Sequence, residues 1–194
     1  YISPWDRNAP TYGSPEYNET FNLTLQHALS QYGDIFEQWF DGANGEGPNG
    51  RKQQYDWFLF NSTVSRLQPE AVIFSDVGPG CRWVGNERGE AGAPNWSFLR
   101  QEEVYPGYNK SKELTTGHPD DDTWIAAECD VSIRPGWFYH PEEDSKVKTP
   151  EQLADLYYKS VGRNATFLLN FPVDREGRVN AIDSANAVAF RQIL

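Results

Sequence analysis

The 194-residue chain is 38% hydrophobic and 23% charged, which excludes a disordered segment and allows one domain with a sizeable core. A formal charge of −11 excludes nucleic acid and anionic membrane surfaces as partners, since either would be repelled by so negative a surface. No apolar run approaches the roughly 20 residues of a membrane span, while seven Trp, ten Tyr and eleven Phe supply amphipathic rings suited to sugar faces.

In chain order, Tyr1-Ile2-Ser3 reads as the tail of a strand, and with no methionine present the sequence is expected to start inside a domain. Phe21, Leu25, Ala28, Leu29 and Tyr32 fall at helical spacing and predict a helix that Gly33 stops. Ile35 to Phe40 reads as a short buried strand, broken by a loop holding Gly42, Gly45, Gly47, Pro48 and Gly50. Trp57, Phe60, Val64 and Leu67 predict a second helix, followed by Pro69 and a strand from Ala71 to Ser75. From Gly78 to Asp122 no periodicity persists, and Trp124 to Ile133 contains the next strand. Thr149-Pro150-Glu151-Gln152 combines an N-cap, a proline at the first helical position and a capping-box Gln. The helix it opens carries Leu153, Leu156, Tyr157 and Ser160 and ends at Gly162. Thr166 to Asn170 is a strand, and Asp183 caps a last helix with Ala187, Phe190 and Leu194 on one face.

Strands thus alternate with helices about every 35 residues, the pattern of parallel strands with helical crossovers. Polar, Gly-rich and aromatic residues crowd just after the strands, at Pro4-Trp5-Asp6-Arg7-Asn8, Asp41-Gly42, Ser75-Asp76 and Arg134-Pro135-Gly136-Trp137. In a (β/α)8 barrel those are the loops of the catalytic face. A doubly wound sheet also binds ligands at strand ends, but no GxGxxG or phosphate-loop sequence favours it. The expected fold is therefore α/β, the C-terminal portion of a TIM-type barrel with roughly five parallel strands, the first strands missing, and residues 1–194 forming one part-domain.

Asp41 follows a strand of large side chains and precedes small ones, which sets a carboxylate at the barrel mouth with open space before it. A nucleophile toward an anomeric carbon needs that setting. The competing reading is an Asx-turn residue opening a Gly-rich loop; a calcium loop fails because Ala43 and Gly45 occupy its alternate ligand positions. Glu87 lies in the long aperiodic segment, and loops of that length are usually functional. Beside Trp83 its carboxyl would be kept protonated by desolvation, as a general acid requires. An ordinary solvated Glu is the competing reading, with Glu90 the neighbouring candidate for the role. Trp39 shares the pleat face of Asp41 and so lines the pocket floor. Arg82 and Arg134 are candidates for hydroxyl contacts or for structural ion pairs. His118 and His140 are not at metal-ligand spacing, His27 lies on a helix, and Asp120-Asp121-Asp122 reads as a solvated turn.

Six N-x-S/T sequons begin at Asn18, Asn22, Asn61, Asn95, Asn109 and Asn164, against about one or two expected by chance. They point to the secretory pathway, and so to a secreted, extracellular or lysosome-like location. Cys81 and Cys129 are compatible with one disulfide or with two buried thiols.

Longer strings carry a resemblance. SPWDRN at 3–8, WFDGANGEGPNG at 39–50, IFSDVGP at 73–79, RWVGNE at 82–87, AECDVSIRPGWFYHP at 127–141 and SVGRNATFLLNFPVD at 160–174 resemble the α-L-fucosidases of glycoside hydrolase family 29. The similarity runs in order along essentially the whole chain and is nearest to the branch acting on α-1,3- and α-1,4-linked fucose. It implies retaining hydrolysis by double displacement in a (β/α)8 barrel, usually followed by a β-sandwich. The nucleophile then matches Asp41 and the acid/base Glu87. Trp39, Arg82 and Trp137 match positions around the fucose, with Trp137 suited to its C5 methyl, and Glu128 lies in a matching motif. No metal or organic cofactor is required. The implied partners are fucosylated oligosaccharides or glycoproteins and, in the parent chain, the missing barrel half. Two departures stand out: Gly80 occupies a position where the family pattern carries Asp, and the family's sugar-binding histidines come from earlier strands. A non-catalytic fucose- or glycan-binding fragment and an inactive truncated product are the alternatives. Two retained carboxylates favour the enzyme, whereas unpaired strand edges would make the isolated piece poorly soluble.

Overall fold

Pro15 pre-sets the backbone for the first turn of α1 (Pro15–Gln31), whose buried stripe is Tyr17, Phe21, Leu25 and Leu29. Gly33, at φ +82°, ends the helical path. Tyr32 falls just past the last helical residue and is 79% exposed rather than part of the core. In α2 (Trp57–Leu67) the Asp56 carboxylate accepts the Leu59 N–H at 2.9 Å and caps the first turn. Phe60 meets Phe21 edge to face, with centroids 4.7 Å apart, and Phe40 completes this cluster. These elements belong to the first of two compact units in the computed structural model, which describes residues 1–194: Tyr1–Arg82 with Arg100–Asn109.

The same unit carries β1 (Glu37–Trp39) and β2 (Val72–Ser75), paired in parallel with Trp39 opposite Phe74. β1 is shorter than the run Ile35 to Phe40 promised, and Phe36 is 83% exposed, so that run is not a wholly buried strand. Tyr1 to Ser3 form no strand, although the Ile2 N–H donates to the Trp39 carbonyl at 3.1 Å as a strand neighbour would. β3 (Cys81–Trp83) pairs parallel with β2, Phe74 facing Cys81. The sequence shows no period there because three residues are too few to make one. Only residues 76–80 join the two strands, with no helical crossover. A side chain at Gly80 would run into the Ile73 backbone, its Cβ lying 2.8 Å from the Ile73 nitrogen, so glycine lets the returning chain pass this close.

The second unit, Trp83–Leu99 with Lys110–Leu194, holds α3 (Ser111–Thr116), β4 (Ala126–Ser132), α4 (Pro150–Ser160), β5 (Ala165–Asn170) and α5 (Ala181–Ile193). β4 and β5 pair in parallel over six residues, from Ala127–Ala165 to Ser132–Asn170. β4 is buried along nearly its whole length, as a parallel strand covered on both faces should be. The capping box of α4 forms as read: Thr149 Oγ1 accepts the Gln152 N–H and Gln152 Oε1 accepts the Thr149 N–H. A single 3-10 turn carries the chain past Gly162 to Asn164, which stands at φ +62°. The last helix is capped by Asn180, whose side chain accepts the Ile182 N–H at 2.8 Å, and not by Asp183.

The strands follow one another in the order β1-β2-β3-β4-β5. That sequential order, with parallel pairs and helices between all consecutive strands but β2 and β3, makes this a partial, open sheet of the (β/α)8 type, its C-terminal portion. The count of five strands matches the expectation with one exchange, β3 standing in for Tyr1 to Ser3. Both cysteines are free and buried, which decides against a disulfide. No helix is long and apolar enough to cross a membrane.

Candidate active site

Asp41 sits two residues past β1, half-buried, where the chain turns from bulky Trp39 and Phe40 into Gly42. One carboxylate oxygen accepts the Tyr1 hydroxyl at 2.6 Å and the other accepts the Ala43 N–H at 2.8 Å. The second contact is the Asx-turn of the bland reading, and it coexists with a carboxylate aimed by two donors. The Tyr1 ring stacks on Trp39 at 5.2 Å, and Trp39 stacks on Phe74, its register partner, at 4.0 Å and 10°. Trp39 and Asp41 are thereby linked through Tyr1. Burial of the phenol, then donation to Asp41 and the charge of that carboxylate, push the Tyr1 hydroxyl up to about 12. Tyr1 is nevertheless 74% exposed, so the direct hydrogen bond is the contribution least weakened by solvent.

A second carboxylate adjoins this one. Asp76, directly after β2, accepts the Gly107 N–H at 2.6 Å and so ties Gly107 to the end of β2. A Cβ on Gly42 would strike the Asp76 carboxylate, so the glycine after the candidate nucleophile makes room for its neighbour. Burial raises the Asp76 carboxyl above its ordinary value of 3.8; the Gly107 hydrogen bond opposes this and the Asp41 charge adds to it. The folded state therefore favours protonated Asp76. Its contribution to stability is full below the ordinary carboxylate range and is lost as pH rises through the raised value. Asp76→Asn stays neutral and keeps an acceptor for Gly107. The melting-temperature difference, variant minus wild type, should become more positive from about pH 4 to about pH 7. A pH-independent difference would show that Asp76 carries no such strain.

Glu87 belongs to the second unit and is exposed. Its exposure departs from the desolvated setting expected of it, and the Trp83 indole N–H donates to Asp130 Oδ1 at 2.7 Å. Buried Asn86 shapes the turn, accepting the Arg88 N–H at 3.1 Å and donating to the Glu90 carbonyl at 2.9 Å. Glu90 is held by Lys159 at 3.1 Å, and Lys159 also pairs with Asp155 at 2.9 Å. Of the two neighbouring carboxylates, Glu87 is the one exposed to solvent.

Among the other candidates, Arg82 is fully buried in β3 and Glu128 is buried in β4, accepting the Thr166 hydroxyl at 3.1 Å. Trp137 is 37% exposed and its carbonyl accepts from Asn170. Arg134 takes the structural alternative. Fully buried, it meets Asp183 through two 2.8 Å hydrogen bonds, pairs with Asp144 at 2.9 Å and lies over the Tyr139 ring at 4.7 Å. Tyr1, Asp76 and Gly107 were not singled out from the sequence. Asp76 carried a signal, standing directly after a strand as Asp41 nearly does, but a tyrosine reaching back over 40 positions has none.

Against known proteins, a sequence profile of the family described as alpha-L-fucosidase matches residues 1–189. The chain is 44% identical over 185 residues to "Alpha-L-fucosidase 1" of Arabidopsis thaliana, covering 94% of this chain and 36% of that protein. It is 43% identical over 194 residues to "Putative alpha-L-fucosidase 1" of Oryza sativa subsp. japonica, covering 100% of this chain and 37% of the relative. The chain thus spans little more than a third of the length of these relatives. Among solved structures, a glycoside hydrolase 29 family member from an unknown rumen bacterium superimposes with a TM-score of 0.88 at 43% identity, over 100% of this chain and 36% of that one.

Proposed function

The chain belongs to the α-L-fucosidase family, and on that premise we propose that it supplies both working carboxylates of a retaining fucosidase whose barrel is completed by a further half in the parent chain. Asp41 attacks the anomeric carbon of an α-linked fucose while Glu87 protonates the departing glycosidic oxygen, giving a fucosyl-enzyme. Glu87, now a base, takes a proton from water as it attacks the same carbon, releasing L-fucose with retained configuration and regenerating Asp41. Such a mechanism calls for carboxyl groups about 5–5.5 Å apart. The substrates are fucosylated oligosaccharides or glycoproteins carrying α-1,3- or α-1,4-linked fucose, met in a secreted or extracellular setting. Trp39, Arg82, Trp137 and Glu128 are assigned to the surroundings of the sugar.

The observation that carries this reading is the setting of Asp41 within a chain that matches the family from end to end. Its two oxygens each accept a donor, Tyr1 and Ala43, which orients the carboxylate. The acid/base is tested with residues 1–194 exchanged into the matching segment of the Arabidopsis relative. In that chimera Glu87→Ala should lower turnover of a natural glycan by about 10²- to 10⁴-fold. Aryl fucosides with good leaving groups should lose far less in the fucosylation step, because they need no proton. Equal losses on both substrates would move the role away from Glu87.

A further inference from the structure

Six sequons in 194 residues are an excess that the proposed catalysis leaves unexplained. N-glycosylation replaces one of the two hydrogens on the asparagine Nδ2. The nitrogen displaces a lipid pyrophosphate from the anomeric carbon of the donor oligosaccharide and loses one proton, so a single N–H remains. An acceptor in the finished fold therefore needs an open Nδ2 and room for a sugar beside it.

Four of the six sequons are instead engaged with one another. Asn22, 6% exposed on α1, accepts through Oδ1 the hydroxyl of Thr63 on α2 at 2.7 Å, and Thr63 is the third residue of the sequon that begins at Asn61. Asn61 itself lies within α2 with its Oδ1 buried. In the second unit Asn95 uses both hydrogens of Nδ2, donating at 2.9 Å to the carbonyls of Arg163 and Asn164. Asn164 in turn donates to Ser97 Oγ at 2.8 Å, and Ser97, 3% exposed, is the third residue of the sequon at Asn95. These are polar clips between elements. A glycan on Asn22 would have to sit inside the α1–α2 contact, and one on Asn95 would remove one of its two hydrogen bonds to the Arg163–Asn164 turn.

Asn18 is held as well. It donates to the Gln54 carbonyl at 3.0 Å and accepts from Gln53 Nε2 at 3.3 Å and the Asp56 N–H at 3.2 Å. Asn109 differs from these: it is exposed, lies outside any helix or strand, and is followed by exposed Lys110 and Ser111, whereas Asn164, also exposed and in a turn, is tied by its side chain to Ser97. The segment leading to it is fixed by the Gly107–Asp76 hydrogen bond and by Tyr108, which is 9% exposed. We infer that Asn109 is the N-glycan acceptor of this chain and that the sequons at Asn22 and Asn95 are structural. The occurrence of the glycan in the source cell rests on the secretory reading above; the competence of the site does not.

The test uses the chain and, in parallel, the Arabidopsis chimera, each secreted from a eukaryotic host behind a heterologous signal peptide. The monodisperse fraction is deglycosylated by peptide-N-glycosidase in ¹⁸O water, and the marked asparagines are read by peptide mass spectrometry. Asn109 should carry the label, Asn22 and Asn95 should not, and Asn109→Gln should remove the corresponding mobility shift. Folded, unglycosylated protein is also given UDP-glucose and a soluble sequon-specific asparagine glucosyltransferase, which reads accessibility independently of folding in the host. Transfer to Asn109 in preference to Asn22 and Asn95 supports the assignment. Label at Asn22 or Asn95 in folded protein, or an unmodified Asn109 in both arms, overturns it.

Discussion

Asp41→Gly in the chimera with the Arabidopsis relative should lower turnover of an aryl α-L-fucoside by roughly 10⁴- to 10⁶-fold, the scale on which removing an enzyme's nucleophile acts. The shortened side chain leaves a gap beside the sugar. Azide can enter it, attack the anomeric carbon directly and expel the phenolate, giving a fucosyl azide of inverted configuration. Partial recovery of rate by azide, with the azide product identified by NMR, is the expected second result. Tyr1→Phe should act more mildly, because it removes one donor to the carboxylate and leaves the Ala43 N–H in place. An Asp41→Gly protein that keeps activity within about tenfold of the parent would remove Asp41 from the mechanism.

A second large effect concerns stability. Arg134 and Asp183 are both fully buried and joined by two 2.8 Å hydrogen bonds, so Asp183→Ala strands a guanidinium away from water. Breaking such a pair from one side costs about 3–5 kcal/mol. Asp144, at 2.9 Å and partly exposed, retains some compensation and should keep the loss toward the lower end. Asp183 also lies in the first turn of α5, where a negative charge favours the helix. Removing both charges, as in Arg134→Met with Asp183→Leu, should cost much less than Asp183→Ala alone. Urea unfolding of the three proteins checks this; a loss below about 1 kcal/mol for Asp183→Ala would show that the pair is not structural.

What the sequence disclosed follows from the range of the interactions concerned. The capping box at Thr149 and Gln152 was legible because three residues contain both partners. The stripes of α1 and α2 were legible because their period repeats several times. β3 and α3 were not, since three and six residues are too few to repeat a pattern. Asp183 was misread as a cap because its partner, Arg134, lies 49 positions away, and nothing local says that a carboxylate in a first turn will be drawn inward. Asp41 announced itself by what flanks it in the chain. The groups that orient it and crowd it, Tyr1, Asp76 and Gly107, come from three separate stretches and meet only in the fold. The exposure of Glu87 was likewise hidden, as was the partner of its neighbour Trp83, whose indole N–H bonds Asp130 across 47 positions.

The brevity of the link between β2 and β3 bears on chain entropy. Bringing Phe74 beside Cys81 closes a loop of about seven residues, whereas pairing β4 with β5 closes one of 38. With closure entropy growing as (3/2)RT ln n, the longer loop costs about 1.5 kcal/mol more, before the stiffness of so short a link is counted. Glycine at position 80, by letting the backbone pass against Ile73, is what makes the short closure sterically open. Within a sheet of otherwise distant strand pairings, one contact of low sequence separation gives an unfolded chain a place to begin assembling it.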